Sequence, residues 1–89
     1  GINGAYPNPF NSSIIIKYNL PVKVEVELAI SDILGKRVRT LHRGIHDPGQ
    51  SSIRWDGRDQ NGMQMSTGVY YFTLSTYEYS KTIKLLMVK

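Results

Sequence analysis

The 89-residue sequence lacks several features that would hold or anchor a protein of its size. It contains no cysteine, which excludes disulfide bonds and thiolate chemistry. It has no run of about 18 consecutive apolar residues, which excludes a membrane-spanning helix. No charged stretch followed by an apolar segment stands at its beginning, so no secretory signal peptide is visible. The chain therefore depends on one packed core, and a chain this short buries only about 60% of its unfolded surface.

Charge of one sign is not concentrated anywhere in the chain. Eleven Lys and Arg residues stand against seven Asp and Glu residues, which gives a formal net charge of +4. A nucleic-acid-binding domain is expected to gather its basic residues on one face. Here they are scattered over predicted strands and loops, so we expect no nucleic-acid partner.

The apolar residues do not recur with the period of a helix. They alternate with polar residues, which is typical of strands with one buried face. This alternation predicts strands over residues 14–20, 24–31, 36–41, 51–55, 69–76 and 81–89. Short strands with hairpin-length connections favour an all-β fold, an antiparallel immunoglobulin-like β-sandwich of about seven short strands. We place the sandwich at residues 11–89 and treat residues 1–10 as an extended linker segment, because its prolines stiffen it.

Glycine and proline residues mark two of the predicted connections. Residues 32–36 are predicted to form a tight turn with Gly35 at a positive φ. In the strand that follows, Val38 and Leu41 can both face the core only if a bulge intervenes, because they are three residues apart. Residues 42–50 are rich in glycine and proline and are predicted to form a loop.

The chain is organised around the stretch that begins at Trp55 and ends at residue 72. It combines the end of a buried strand, a polar turn region and the start of another buried strand. The Asp-Gly dipeptide at 56–57 and the Asn-Gly dipeptide at 61–62 favour turns, because these residues tolerate left-handed backbone conformations. Trp55 follows the inward phase of its strand and is predicted to be part of the core.

Two groups of polar residues have the composition of a metal site. His42 and His46 lie four residues apart beside Asp47, which would be metal-ligand spacing on a helix. The glycines and proline around them oppose a helix, so we interpret them as two solvated loop histidines.

The acidic turn after Trp55 resembles a calcium loop. Asp56, Asp59 and Asn61 supply oxygens, but their spacing does not fit the EF-hand pattern, and Arg58 would repel a cation. We interpret these side chains as turn builders that accept backbone N–H groups, with a looser calcium site as the alternative. No Gly-x-Ser-x-Gly motif is present. We therefore expect no enzymatic activity, no catalytic residue, no cofactor and no metal.

Aromatic residues leave one alternative open. Tyr71, Tyr77 and Tyr79 are possible exposed rings, and several exposed rings on one face could bind a carbohydrate by stacking. The other aromatic residues of the predicted strands are more typical of a core.

Several motifs occur in a fixed order along the chain. They are Tyr6-Pro7-Asn8-Pro9-Phe10, Asp32-Ile33-Leu34-Gly35-Lys36-Arg37-Val38, Trp55-Asp56-Gly57-Arg58-Asp59 with Gly62, Gly68-Val69-Tyr70, and a basic last residue after an apolar strand. This ordered set resembles the type A C-terminal sorting domains of the type IX secretion system of Bacteroidetes and related phyla. Within them, it is most similar to the subgroup related to the immunoglobulin-like domain of flagellar hook-capping proteins.

The resemblance implies a non-catalytic domain that follows an N-terminal cargo domain, an extracellular enzyme or adhesin. Such a domain directs its cargo through the periplasm and across the outer membrane to the cell surface or the medium. The implied partners are the outer-membrane secretion machinery and a sortase-like peptidase, without membrane insertion. Two alternatives remain: a spacer or accessory module of a secreted hydrolase, and a carbohydrate-binding module.

The resemblance also implies docking residues. The last predicted strand is apolar on both faces, with Ile83, Leu85 and Met87 predicted inward and Leu86 and Val88 outward beside unpaired backbone groups. The family presents this strand and the Gly-Val-Tyr motif to the secretion machinery. The docking residues that follow are Gly68, Val69, Tyr70, Lys84, Leu86, Val88 and Lys89.

Overall fold

The structure, a computed structural model, describes all 89 residues and consists of seven strands. The strands are β1 (Ile2–Tyr6), β2 (Ile14–Leu20), β3 (Val24–Asp32), β4 (Arg37–His46), β5 (Gly49–Trp55), β6 (Gly68–Ser75) and β7 (Ser80–Met87). Three of them form a sheet in the order β1-β2-β5, and the other four form a sheet in the order β4-β3-β6-β7. All strand pairs are antiparallel. The predicted immunoglobulin-like β-sandwich is confirmed, and no helix that could cross a membrane is present.

The core lies between the two sheets and contains no buried polar or charged residue. It is built by the alternation seen in the sequence, since every second residue of a strand points to the same face. Trp55 is fully buried, and its indole Nε1 donates to the carbonyl oxygen of Arg58 at 2.9 Å. The prediction that Trp55 belongs to the core is confirmed. The inward residues of β2, β3, β4, β6 and β7 supply most of the rest of the core: Ile14, Ile16, Tyr18, Leu20, Val26, Leu28, Ile30, Val38, Tyr70, Phe72, Leu74, Leu85 and Met87.

The first ten residues are part of the sandwich and do not precede it. Strand β1 pairs with β2, with Ala5 opposite Ile16. Phe10 is only 2% exposed and joins the core. The extended conformation expected from the prolines therefore provides a sheet strand and a core residue. The Tyr6–Pro7 and Asn8–Pro9 peptide bonds are both cis.

Strand β4 is longer than the sequence predicts. Residues 42–46 continue the strand, so the prediction of a loop over residues 42–50 is wrong, and the turn is confined to residues 47–48. Gly44 lies within this strand and does not end it. The predicted bulge is confirmed, because Leu28 pairs with His42 and Ala29 with Thr40, which leaves Leu41 as the extra residue.

The two histidines are strand residues and not solvated loop residues. Both are half-buried on the inner side of β4, with ring centroids 5.5 Å apart. The His46 Nε2 atom lies 2.8 Å from the Tyr18 hydroxyl, and its Nδ1 atom lies 2.7 Å from the Asp47 carbonyl oxygen. Both nitrogens of His46 therefore have protein partners. No group of three or more His, Cys, Asp or Glu side chains is placed to hold a metal ion.

Candidate docking surface on strands β6 and β7

The two sequence stretches assigned to docking lie side by side in the sheet. Strand β6 pairs with β7 so that Gly68 is opposite Met87, Val69 opposite Leu86 and Tyr70 opposite Leu85. The Gly-Val-Tyr motif and the end of the last strand are thus one two-stranded surface.

The outer side of this pair carries the exposed docking residues. Val69 and Leu86 are directly opposite each other, and side chains of such a pair share one face. Leu86 is 36% exposed and Val88 is 46% exposed, which confirms their predicted outward orientation. Lys84 and Lys89 are exposed at the border, and neither forms an ion pair. We call the surface formed by Val69, Lys84, Leu86, Val88 and Lys89 the β6–β7 face.

Tyr70 belongs to the core and not to this face. It is 5% exposed, and its hydroxyl donates to the Ser66 carbonyl oxygen at 2.6 Å. Burial, together with the nearby Asp32 carboxylate, raises the pKa of the Tyr70 hydroxyl above its ordinary value. Tyr70 therefore supports the face from behind by packing edge-on against Trp55, with ring centroids 5.2 Å apart.

The free edge of β7 is covered at the level of this face. The side-chain Nδ2 of Asn8 donates to the Lys84 carbonyl oxygen at 3.0 Å, and its Oδ1 accepts the Leu86 N–H at 2.9 Å. Phe10 continues the pairing with its backbone, since its N–H donates to the Leu86 oxygen at 2.9 Å and its oxygen accepts the Val88 N–H at 2.8 Å. The prediction of unpaired backbone groups beside Leu86 and Val88 is therefore wrong. We call residues 6–10 in this arrangement the 6–10 clamp.

The composition of the clamp explains why a side chain performs the pairing. Pro7 and Pro9 have no N–H, so this segment cannot complete a backbone ladder. The amide of Asn8 carries both a donor and an acceptor and replaces one residue of a partner strand. Phe10 anchors the segment by packing against Trp55, with ring centroids 5.6 Å apart. In the sequence, this contact is indicated only by the single Asn between two prolines.

The polar turn region, residues 56–66, is built by its acidic side chains. The Asp59 Oδ1 atom accepts the N–H groups of Asn61 and Met63, both at 2.9 Å. The Asp56 Oδ1 atom accepts the Arg58 N–H at 3.1 Å and the Arg39 guanidinium at 2.8 Å. The interpretation of these side chains as turn builders is confirmed for Asp56 and Asp59, whereas Asn61 contributes only its backbone N–H. We call residues 56–66 the 56–66 loop.

The three tyrosines considered for carbohydrate stacking lie in different environments. Tyr77 is 85% exposed in the β6–β7 turn, whereas Tyr79 is half-buried and packs against the core. Tyr71 lies on β6 opposite Lys84 and is half-buried. The structure does not bring the three rings together as one exposed platform.

The fold and the sequence together define the class of the chain as a small immunoglobulin-like module. The family model of the FlgD Ig-like domain matches residues 11–80, and the chain belongs to this family. No curated protein matches the chain.

Three solved structures are similar over most of this chain. FlgD from P. aeruginosa is 32% identical with a TM-score of 0.65, over 83% of this chain and 57% of its own. PorZ from Porphyromonas gingivalis is 21% identical with a TM-score of 0.64, over 100% of this chain and 12% of its own. Dimeric latent PorU from the same organism is 18% identical with a TM-score of 0.69, over 98% of this chain and 9% of its own.

These similarities differ in what they support. PorZ is described as an essential bacterial surface component of the type-IX secretion system. At 21% and 18% identity, the similarity to PorZ and PorU shows the fold alone. This chain spans 57% of the FlgD chain and about a tenth of the other two. The activities of those whole proteins are therefore not assigned to this chain.

Proposed function

We propose that this chain is a non-catalytic sorting domain of the type IX secretion system, joined to an N-terminal cargo domain. Its β6–β7 face docks onto the secretion machinery of the outer membrane, and a sortase-like peptidase is a second partner. The cargo then reaches the cell surface or the medium through the periplasm. The domain itself has no enzymatic activity and does not insert into the membrane.

One observation carries this proposal. The two segments that the resemblance assigns to recognition are neighbouring strands, and their outward apolar residues Val69 and Leu86 form one pair. The 6–10 clamp, which contains the first motif of the resemblance, is hydrogen-bonded to the same end of β7. Three motifs that are far apart in the sequence thus support a single surface.

The size of the apolar area fits transient recognition. Fully burying a Val or Leu side chain contributes about 1.5–3 kcal/mol. Leu86 and Val88 are already more than half covered, so a partner that buries the rest gains on the order of 2 kcal/mol from the pair. Lys84 and Lys89 add attraction to an acidic partner surface.

The test is an export assay in a host that has the secretion system. A reporter protein is fused in front of the domain, and Leu86 and Val88 are both changed to Ser. We expect the folded reporter to be retained in the periplasm, since the variant loses the outward apolar area. Circular dichroism of the purified domain checks that the variant is folded.

The control removes a comparable apolar pair elsewhere. Ile33 and Leu34 are 70% and 89% exposed in the β3–β4 turn, so Ile33→Ser with Leu34→Ser leaves the β6–β7 face intact. This control should be exported normally. Equal export of both variants would contradict the docking role and favour an accessory module of a secreted hydrolase. A polysaccharide pull-down with a Tyr77→Ala control tests the carbohydrate-binding alternative.

A further inference from the structure

A polar cavity of about 550 Å³ lies where the segment after Phe10, the end of β5, the 56–66 loop and the last residue meet. No hydrophobic residue lines it. Three of its lining side chains are basic: Arg54, Arg58 and Lys89. We call this cavity the basic pocket.

The positive charge of the basic pocket is only partly neutralised, because in the 89-residue chain three basic side chains stand against the carboxylates of Asp56 and of the terminal Lys89. Its one acidic residue is Asp56, whose Oδ1 atom already accepts the Arg39 guanidinium and the Arg58 N–H. Arg54 and Lys89 form no ion pair. Elsewhere in the chain, by contrast, Arg37 and Arg43 both pair with Glu27. The basic pocket therefore attracts an anion from solution.

The backbone that carries the three basic side chains is held in place by packing and hydrogen bonds. Arg54 directly precedes the fully buried Trp55, whose indole donates to the Arg58 carbonyl oxygen at 2.9 Å. The Arg58 guanidinium is held by its bond from Nη1 to the Gly62 oxygen at 2.9 Å, which leaves its other N–H groups free. The backbone N–H of Lys89 donates to the Thr67 hydroxyl at 3.1 Å. A ligand therefore has little backbone to order, and mainly the Arg54 and Lys89 side chains become ordered on binding.

Uncharged hydrogen-bonding groups complete the wall. Asn11 and Ser12 follow the buried Phe10, and their side chains have no protein partner among the hydrogen bonds of the structure. Gln64 donates from Nε2 to the Gly57 oxygen at 2.9 Å, which orients its amide and leaves its Oε1 free. Amide and hydroxyl groups match the hydroxyl groups of a carbohydrate, and guanidinium groups bind phosphate oxygens in pairs.

We propose that the basic pocket is a binding site for a phosphorylated carbohydrate. The phosphate lies between Arg54, Arg58 and Lys89, and the sugar hydroxyls contact Asn11, Ser12 and Gln64. This site is separate from the β6–β7 face, and the proposal does not depend on the sorting function.

The experiment is a titration of the isotope-labelled 89-residue chain, followed by NMR, at about 0.15 M salt, where exposed charges are screened beyond about 8 Å. The probes are glucose 1-phosphate, inorganic phosphate and glucose. We expect saturable shifts of the backbone amides of residues 11–12, 54–58 and 64 with glucose 1-phosphate. Inorganic phosphate should bind several-fold more weakly, and glucose alone should cause no localised shift. Equal binding of phosphate and glucose 1-phosphate would overturn the carbohydrate part of the proposal, and absence of saturable shifts would overturn all of it.

Charge-matched variants separate a built site from general attraction. Arg54→Gln with Lys89→Gln removes two positive charges from the pocket, and Lys23→Gln with Lys81→Gln removes two from exposed positions outside it. The pocket variant should lose about tenfold in affinity, which corresponds to about 1.4 kcal/mol, whereas the control should lose less than about twofold. Equal losses in the two variants would show that only the net charge attracts the anion and would overturn the proposal.

A second arm distinguishes a soluble ligand from a lipid headgroup. Phosphatidylcholine vesicles with and without phosphatidylinositol are sedimented with the chain, since phosphatidylinositol carries a phosphate ester on a hydroxylated ring. Sedimentation that requires phosphatidylinositol and is lost in the pocket variant would assign the ligand to a lipid headgroup. Binding of glucose 1-phosphate without sedimentation would assign it to a soluble phosphosugar.

Discussion

Each edge of the four-stranded sheet is covered over part of its length by a side-chain amide, that of Asn8 on β7 and that of Gln60 on β4. On β7, the Asn8 side-chain amide pairs with the Lys84 oxygen and the Leu86 N–H. On β4, Gln60 donates its backbone N–H to the Val38 oxygen at 3.0 Å, and its Oε1 accepts the Thr40 N–H at 2.9 Å. An exposed edge strand can pair with another chain, and a covered one cannot.

The difference lies in how far away along the chain the covering residue is. Gln60 is 20 residues from Thr40 and belongs to the 56–66 loop, which holds itself together through Asp59. Asn8 is 78 residues from Leu86 and is held in place by the core residue Phe10. The β4 edge is therefore protected by a self-contained loop, whereas the β7 edge is protected only while the beginning and the end of the domain stay packed together.

The largest expected effect comes from removing the anchor of the β7 edge. Phe10→Ala should lower the free energy of unfolding by about 3–5 kcal/mol, because a buried aromatic ring is lost beside Trp55. Urea denaturation measures the loss. Met63→Ala in the 56–66 loop is the control, since Met63 is 66% exposed and should cost no more than about 0.5 kcal/mol. Similar costs for the two variants would contradict the anchoring role of Phe10.

The next effect concerns the place where the 56–66 loop approaches β7. Gly57 has φ +75°, and a Cβ atom there would lie 2.9 Å from both the Gln64 Nε2 and the Met87 Cε atoms. Gly57→Ala should cost about 2–3 kcal/mol, from left-handed backbone strain of about 1–2 kcal/mol and from the displaced side chains. Thermal unfolding of Gly57→Ala and Gly62→Ala makes the comparison.

Gly62 is a matched control for this variant. Its φ is +84°, and a Cβ atom there would meet nothing within 4 Å. Gly62→Ala should therefore cost only the backbone strain, about 1–2 kcal/mol. Equal losses would show that the contact with β7 adds nothing.

Smaller and reciprocal effects are expected from the two covering amides. Asn8→Ala should cost about 1 kcal/mol, because both hydrogen bonds to the β7 edge are lost. Gln60→Ala should cost about half as much, because its backbone bond to Val38 remains. Hydrogen exchange gives the sharper readout: Asn8→Ala should accelerate exchange of the Leu86 amide but not of the Thr40 amide, and Gln60→Ala the reverse. Acceleration of both amides by either variant would contradict independent covering of the two edges.

The smallest effect concerns an electrostatic contribution that only the β4 side has. Glu27 on β3 pairs with Arg43 at 2.7 Å and with Arg37 at 2.9 Å. The hydrogen bond from Arg43 and the charge of Arg37 lower the pKa of Glu27 below its ordinary value of 4.5. The stabilisation is therefore present above pH 4.5 and is lost as the pH falls through the lower pKa of the folded state.

The two arginines of these ion pairs are exposed, so the pairs should contribute little to the free energy of unfolding. Glu27→Gln should cost less than about 0.5 kcal/mol at pH 7, and the difference from the parent should disappear in acid. Denaturation curves at several pH values measure this, with Glu25→Gln as the control, because Glu25 is exposed and forms no ion pair. A difference that stays constant down to low pH would contradict the assignment to charge pairing.

The architecture was accessible to sequence reasoning because strand alternation and turn chemistry are local. Residues a few positions apart already determine the inward phase of Trp55, the positive φ of Gly35, which is 81°, and the bulge at Leu41. The same local reasoning misread β4, since Gly44 occurs within the strand without ending it.

Only part of the candidate site could be predicted from the sequence. The outward orientation of Leu86 and Val88 follows from alternation, but the pairing of Val69 with Leu86 depends on the sheet topology. The contact of Asn8 with β7 joins the two ends of the domain, and no periodicity within a strand encodes it. The basic pocket likewise collects residues 11, 54 and 89 from three separate segments.

The contact between Asn8 and Leu86 also has a consequence for the order of assembly. A contact across 78 residues closes nearly the whole chain into one loop, and its entropic cost is offset only when the intervening strands have already shortened that loop. Strands β2 to β6 can therefore pack first. The Phe10 ring becomes fully buried only when the end of β7 packs beside it. During synthesis, residues 84–88 leave the ribosome after all the other strands of this domain. The domain is thus complete only when its last strand has been made, and an interrupted chain leaves an aromatic side chain exposed.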